Sequence, residues 1–169
     1  MSAGVIALLV VAGVIVLIGI ILVIWIVATY NKFIRLRNNA DEAYSTMDVY
    51  MKKRYDLIPN LVETVKGYAK HEEKTLEGVM QARYSCMSAN TPEEKAKYEN
   101  MLSGTLKSLF AVSENYPNLK ADQNFIDLQN SLKVLEDEIA NSRKYYNGCV
   151  KTYNLSLIHI SEPTRLQLI

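Results

Sequence analysis

VIALLVVAGVIVLIGIILVIWIVA, residues 5–28, is the stretch on which the reading of this chain turns. Its 24 residues include no charged, Asn, Gln or Pro side chain. At about 1.5 Å of rise per residue, a helix of that length crosses a hydrocarbon core of about 30 Å with tilt to spare. The run is apolar on every face, unlike a helix that buries one side in a soluble core. A secretory signal has a basic front and a shorter apolar centre, whereas Met1–Gly4 carries no basic side chain. The stretch therefore reads as a retained transmembrane anchor, with Trp25 and Tyr30 at the end where amphipathic rings favour the interface. Ala3 and Ala7 form a single small-xxx-small pair, too little to argue a tight helix dimer in the bilayer.

Just beyond the span stand Lys32, Arg35 and Arg37, and no basic side chain precedes it. The positive-inside rule then places residues 1–4 outside and the bulk of the chain in the cytoplasm. These three charges read as a topology signal rather than a lipid headgroup site. Between residues 29 and 154 there are 18 Lys+Arg and 17 Asp+Glu, a near-neutral balance that leaves no electrostatic footprint for nucleic acid. Cys86 and Cys149 have no CxxC partner, so neither a disulfide framework nor a zinc site is signalled.

Residues 29–154 carry helical periodicity throughout. One row runs Phe33, Leu36, Ala40, Ala43, Met47, Tyr50. A second runs Tyr44, Met51, Tyr55, Ile58, Val62, Val65, Ala69. Together they make a broad apolar face on a helix continuous with the anchor. The second row stays in phase across Pro59, which favours one kinked helix over a new start. GYAKHEE, residues 67–73, is the first break. A second helix follows, with Leu76, Val79, Met80, Arg83 and Met87 on one side. Thr91-Pro92-Glu93-Glu94 is a start signal for a third helix, with Thr91 as N-cap and Glu94 as its reciprocal partner. Tyr116-Pro117 is a stop. A last helix from about Asp122 carries Phe125, Leu128, Leu132, Leu135 and Ile139, then Tyr146 and Val150. No stretch sustains a period of two. The expectation is an all-α protein: a single transmembrane helix followed by an antiparallel bundle of about four helices.

These segments resemble the LemA family of bacterial membrane proteins. The resemblance lies in YNKFIRLRNNADEAYSTMDV, KKRYDLIPNLVETVKGYAKHE, TLEGVMQAR, LFAVSENYPNLKADQNFIDLQ and IANSRKYYNGCVKTYN, and covers Tyr30 to Asn154. It implies a single-pass protein of the bacterial inner membrane with its bundle on the cytoplasmic side. It supplies no catalytic residues. Members are associated with membrane proteases and with the building of intracellular membrane compartments, so such membrane proteins are candidate partners beside the lipid bilayer. LSLIHISEPTRLQLI, residues 155–169, departs from the family. SLIHISEPTR resembles translated sequencing-adaptor sequence, so this tail is expected to be non-native and to add nothing to the fold.

Residues that suggest chemistry are few. His71-Glu72 begins an HExxH pattern, but the fifth position is Thr75, so no metal site is expected. Lys52-Lys53-Arg54 reads as a solvated basic face, roughly 38 Å beyond the anchor by helical rise, with a partner's acidic surface as the sharper option. Glu72-Glu73 and Glu136-Asp137-Glu138 read as solvent faces, because adjacent residues on a helix diverge by about 100°. No Gly-rich phosphate loop or nucleophile elbow is present. The expectation is a protein with no cofactor and no catalytic residues: a membrane-anchored scaffold or adaptor that self-associates or docks membrane proteins. Tyr44, Tyr50, Tyr55 and Tyr68 are expected to help form a homo-oligomer. The alternative is an enzyme or small-ligand binder with a site assembled between helices. A ligand-sized cavity with convergent polar groups favours the alternative; a filled core favours the scaffold.

Overall fold

The computed structural model describes residues 3–158. Five helices occur in the order α1 (Ala3–Tyr68), α2 (Glu73–Ser88), α3 (Pro92–Ser113), α4 (Pro117–Lys120) and α5 (Gln123–Ile158), and no strand occurs among the described residues. The all-α architecture follows the periodicity. Helix α1 is 66 residues long and unbroken from the apolar span into the bundle. Its apolar end is exposed from residue 8 to residue 28, with a mean hydropathy of 3.3 at its most apolar stretch, long and apolar enough to cross a membrane. The chain is thus a membrane-anchored helical protein.

Helix α1 packs chiefly against α5, and α2 against α3. The first pair is antiparallel. Tyr44 meets Tyr146, Arg54 meets Glu136 and Tyr68 meets Asp122, so each step up α1 is matched by an equal step down α5. Helix α3 begins only where Lys95 reaches Asp48 of α1, at 2.5 Å. The bundle therefore has two parts. A stalk of α1 and α5 alone rises from the membrane side, from about Lys32, opposite Ile158 of α5, to about Met47, roughly 22 Å by helical rise. Above it a four-helix head surrounds the main core.

The stalk seam uses small residues. Ala40 and Ala43 are buried against Tyr146 and Val150, with Tyr44 and Cys149 alongside. The head core is filled by Met47, Met51, Ile58, Leu61 and Val65 of α1, Leu76, Val79 and Cys86 of α2, Leu102, Leu106 and Leu109 of α3, and Phe125, Leu132 and Ile139 of α5. On α2 the buried face is Leu76, Val79, Ala82 and Cys86, whereas Met87, placed in the apolar row by spacing, is exposed. The Asn115–Ala121 connection contains the one-turn α4, which buries Leu119 completely.

Local signals set the helix ends. Thr91 accepts the Glu94 N–H, and the Glu94 carboxylate accepts the Thr91 N–H, a complete capping box with Pro92 in the first turn. Asp122 accepts the Phe125 N–H at 2.9 Å and so opens α5. That bond, with the Tyr68 hydroxyl, holds the Asp122 carboxyl below its usual range. At the far end α5 continues past Asn154 to Ile158. The remainder of the 155–169 tail lies outside the described residues.

Gly104 sits in the exposed interior of α3, and no atom lies within 4 Å of a Cβ built there. No neighbouring helix needs the room. Gly104→Ala is therefore expected to raise unfolding stability by about 1 kcal/mol, read from denaturant unfolding of the full chain.

Candidate functional site

The polar centre of the head grows from a misfit in α1. Arg54 occupies a core position of the heptad that includes Met47, Met51, Ile58, Leu61 and Val65, and it is 1% exposed. Glu99 occupies the matching position on α3, in line with Leu102, Leu106 and Leu109, and is 2% exposed. Two opposite charges at core positions of facing helices must meet, because a lone buried charge is untenable. Arg54 Nη2 donates to Glu99 Oε2, and the Tyr55 hydroxyl donates to Glu99 Oε1. Arg54 Nη1 donates to Glu136 Oε2 on α5 and to Ser103 Oγ on α3, the latter at 3.2 Å. Ser103 Oγ in turn donates to Glu136 Oε1 at 2.9 Å. One guanidinium thus ties α1, α3 and α5 together.

Two parts of the sequence reading are corrected here. Arg54 is not part of a solvated basic face: Lys52 and Lys53 are exposed, but the third residue of the run points into the core. Glu136 is not simply a solvent carboxylate, because Arg54 and Ser103 hold it. Glu72 likewise accepts the Tyr116 hydroxyl at 3.1 Å, pinning the connection before α4 to the start of α2. The signal for the buried network was present, since Arg54 and Glu99 both fall in phase with apolar rows. Reading the charges as contiguous runs along the chain hid it.

Pro59 explains a second polar contact. Proline has no N–H, so the Tyr55 carbonyl one turn earlier loses its helical donor. Arg83 of α2 fills the vacancy, its Nε donating to the Tyr55 carbonyl at 2.7 Å. Helix α1 therefore continues through Pro59 as one helix, and a side chain from a neighbouring helix satisfies the orphaned group. Arg83→Met is expected to cost about 1–3 kcal/mol in the native chain. In a Pro59→Ala background, where the helix supplies its own donor, the same change should cost little. A double-mutant cycle by urea unfolding checks this; equal costs in both backgrounds would show that Arg83 acts elsewhere.

The electrostatics keep the thiol and the phenol beside this centre protonated. Burial, reinforced by Glu99, pushes the Cys86 thiol up to about 12, so at neutral pH it is a thiol and a poor nucleophile. Burial and the Glu99 charge also raise the Tyr55 phenol, keeping it a hydrogen-bond donor. Nearer the stalk, burial opposes ionisation of Asp48, but its bonds to Lys95 and Lys52 outweigh that, and its carboxyl lies below the usual range. His71 is exposed at the α1–α2 turn, and no grouping of three or more His, Cys, Asp or Glu suited to a metal occurs among the described residues. Cys86 is buried and Cys149 half-buried, both as free thiols.

Tyr44, Tyr50, Tyr55 and Tyr68 of α1 make contacts within the chain. Tyr55 bonds Glu99, and Tyr44 packs edge-on against Tyr146 at 5.6 Å between centroids. Tyr50 packs on the head core, and the Tyr68 hydroxyl donates to Asp122 at 2.9 Å. Tyr68 is nonetheless exposed, and Tyr145 is 65% accessible on the stalk, beside a shallow groove bordered by Leu36, Asn39, Gly148 and Thr152.

Comparison with known proteins fits this architecture. Residues 43–164 match the sequence profile of the LemA family. The chain belongs to the LemA family. The matched region runs past Asn154, the last residue of the segments that carry the resemblance. Among curated relatives, this LemA-family chain is 25% identical over 128 residues to Protein LemA of Metamycoplasma hominis, covering 73% of this chain and 57% of that protein. It is 24% identical over 154 residues to Magnetosome protein MamQ 2 of Paramagnetospirillum magneticum, and 23% identical over 154 residues to Magnetosome protein MamQ of Magnetospirillum gryphiswaldense. Each alignment covers 76% of this chain and 57% of the relative. The chain thus spans little more than half the length of the curated relatives it matches.

Proposed function

We propose that this LemA-family chain is a non-catalytic scaffold or adaptor of the bacterial inner membrane. Its bundle stands on the cytoplasmic side and either self-associates or docks other membrane proteins. The observation that carries this reading is the continuity of α1, 66 residues from the apolar span to the top of the head without an interruption. A helix braced by an antiparallel partner is a stiff spacer, so the head and stalk surfaces are held at set heights above the bilayer. Lys32, Arg35 and Arg37 at the base of the stalk support the cytoplasmic placement. A continuous apolar core in the head and a thiol held protonated fit a structural rather than a reactive protein. Names containing LemA and MamQ among the relatives support a membrane role.

The test is cross-linking in native membranes. A photoreactive residue in place of Tyr145 samples the open stalk face in the full-length protein. The expected product is a discrete cross-linked species, either a dimer of this chain or a complex with one membrane protein. Labelling of Cys149 by a membrane-impermeant thiol reagent only after cells are permeabilised is the accompanying topology result. No discrete product from Tyr145, together with a monomeric mass in nanodiscs, would remove the scaffold reading.

A further inference from the structure

Beside the buried Arg54 lies a groove of about 420 Å³ between α3 and α5. This volume falls within the range of small-molecule sites. Its floor is apolar, formed by Leu106 and Leu132, which are buried, with Phe110 at one side. Lys107, Lys133 and Asp137 also border it, all exposed, and neither lysine forms an ion pair among the described residues. Ser103 and Glu136 close its inner end, directly over Arg54 Nη1.

The three charges at that end are not equivalent. Arg54 and Glu99 are almost wholly buried, but the Glu136 side chain is 50% exposed. Arg54 with Glu99 is a neutral pair on its own. Glu136 is the member that solvent can receive when it swings out, and its departure uncovers a guanidinium N–H and a serine hydroxyl at the end of an apolar groove. Those two donors match the two oxygens of one carboxylate, because the Glu136 carboxylate takes both.

We propose that this groove is a binding site for a monocarboxylate bearing an apolar chain, whose carboxylate replaces that of Glu136 on Arg54 and Ser103. The exchange is charge for charge, so the buried pair stays neutral. A dianion would place surplus negative charge against Glu99. The hydrocarbon covers Leu106, Leu132 and Phe110, and Lys107 and Lys133 draw the anion toward the mouth. Glu136 acts as an internal competitor, so the apparent affinity is reduced by the fraction of time it occupies the site.

Full-length protein in lipid nanodiscs, a diazirine-bearing octanoate analogue and peptide mapping by mass spectrometry test this. The expected label lies on the α3 and α5 segments around Leu106 and Leu132. Octanoate should compete it away; octylamine, of equal apolar length and opposite charge, should not. Glu136→Ala removes the internal competitor and should tighten binding by about tenfold. Reversing both rim charges, Lys107→Glu with Lys133→Glu, should weaken it several-fold while leaving the helical circular dichroism unchanged. Label outside the groove, label that octylamine displaces as well as octanoate does, or weaker binding in Glu136→Ala overturns the site. None of these readouts depends on a protein partner, so they stand or fall apart from the scaffold reading.

Discussion

Glu99→Ala is expected to lower the stability of the bundle by about 3–5 kcal/mol, a large part of the roughly 5–15 kcal/mol that holds a typical domain. The Glu99 carboxylate accepts from Arg54 Nη2 and from the Tyr55 hydroxyl, and all three groups are buried. Removing it leaves two donors without an acceptor. It also leaves a buried guanidinium whose remaining carboxylate partner is the half-exposed Glu136. The cost is that of stranding groups, not the net worth of the pair. The triple change Arg54→Met, Tyr55→Phe and Glu99→Leu removes donors and acceptor together, and should sit near the native stability or above it. Chemical denaturation of the full-length protein in nanodiscs, followed by circular dichroism, compares the two variants. A Glu99→Ala protein within about 0.5 kcal/mol of native would mean that the network is solvated rather than buried.

Phe125→Ala should cost a similar amount, about 3–5 kcal/mol, through a different mechanism. Phe125 is 1% exposed in the first turn of α5 and meets Phe110 of α3 edge-on at 6.2 Å between centroids. Its backbone is fixed by the Asp122 cap, so the first turn cannot shift freely to refill the space. The penalty therefore combines lost transfer energy with a residual cavity. Val134→Ala on the same helix is the control. Val134 is 59% exposed, and its truncation should stay within about 0.5 kcal/mol of native by the same unfolding measurement. Comparable losses at the two positions would show that the assignment of the α5 core face is wrong.

Most of the architecture was legible one residue at a time. The span from Val5 to Ala28 is recognisable because lipid demands apolarity on all sides, a condition that needs no partner to evaluate. The helix bounds at Tyr68, Ser88 and Pro92 follow from local chemistry: the break after Gly67, the polar stretch before Thr91 and the capping box. The rows on α5 were legible because burial against α1 repeats every turn. Such signals are intrinsic to a segment, and tertiary structure only confirms which face they use.

What tertiary structure alone decided is which partners the buried polar groups meet. Lys53 and Arg54 are neighbours in sequence, yet a rotation of about 100° per residue sends one to solvent and the other into the core. The vacancy Pro59 leaves at the Tyr55 carbonyl is predictable from covalent structure, but the donor that fills it comes from α2, and only packing brings Arg83 there. The tyrosines of α1 read equally well as an outer or an inner surface until α5 lies alongside, where the Tyr44 ring packs on Tyr146 and the Tyr68 hydroxyl bonds Asp122. Helical period fixes the angle of each side chain about its own axis, whereas the identity of the facing residue depends on how far one helix slides along another. That sliding is set by the sum of contacts between α1 and α5, and no single stretch of the chain contains it.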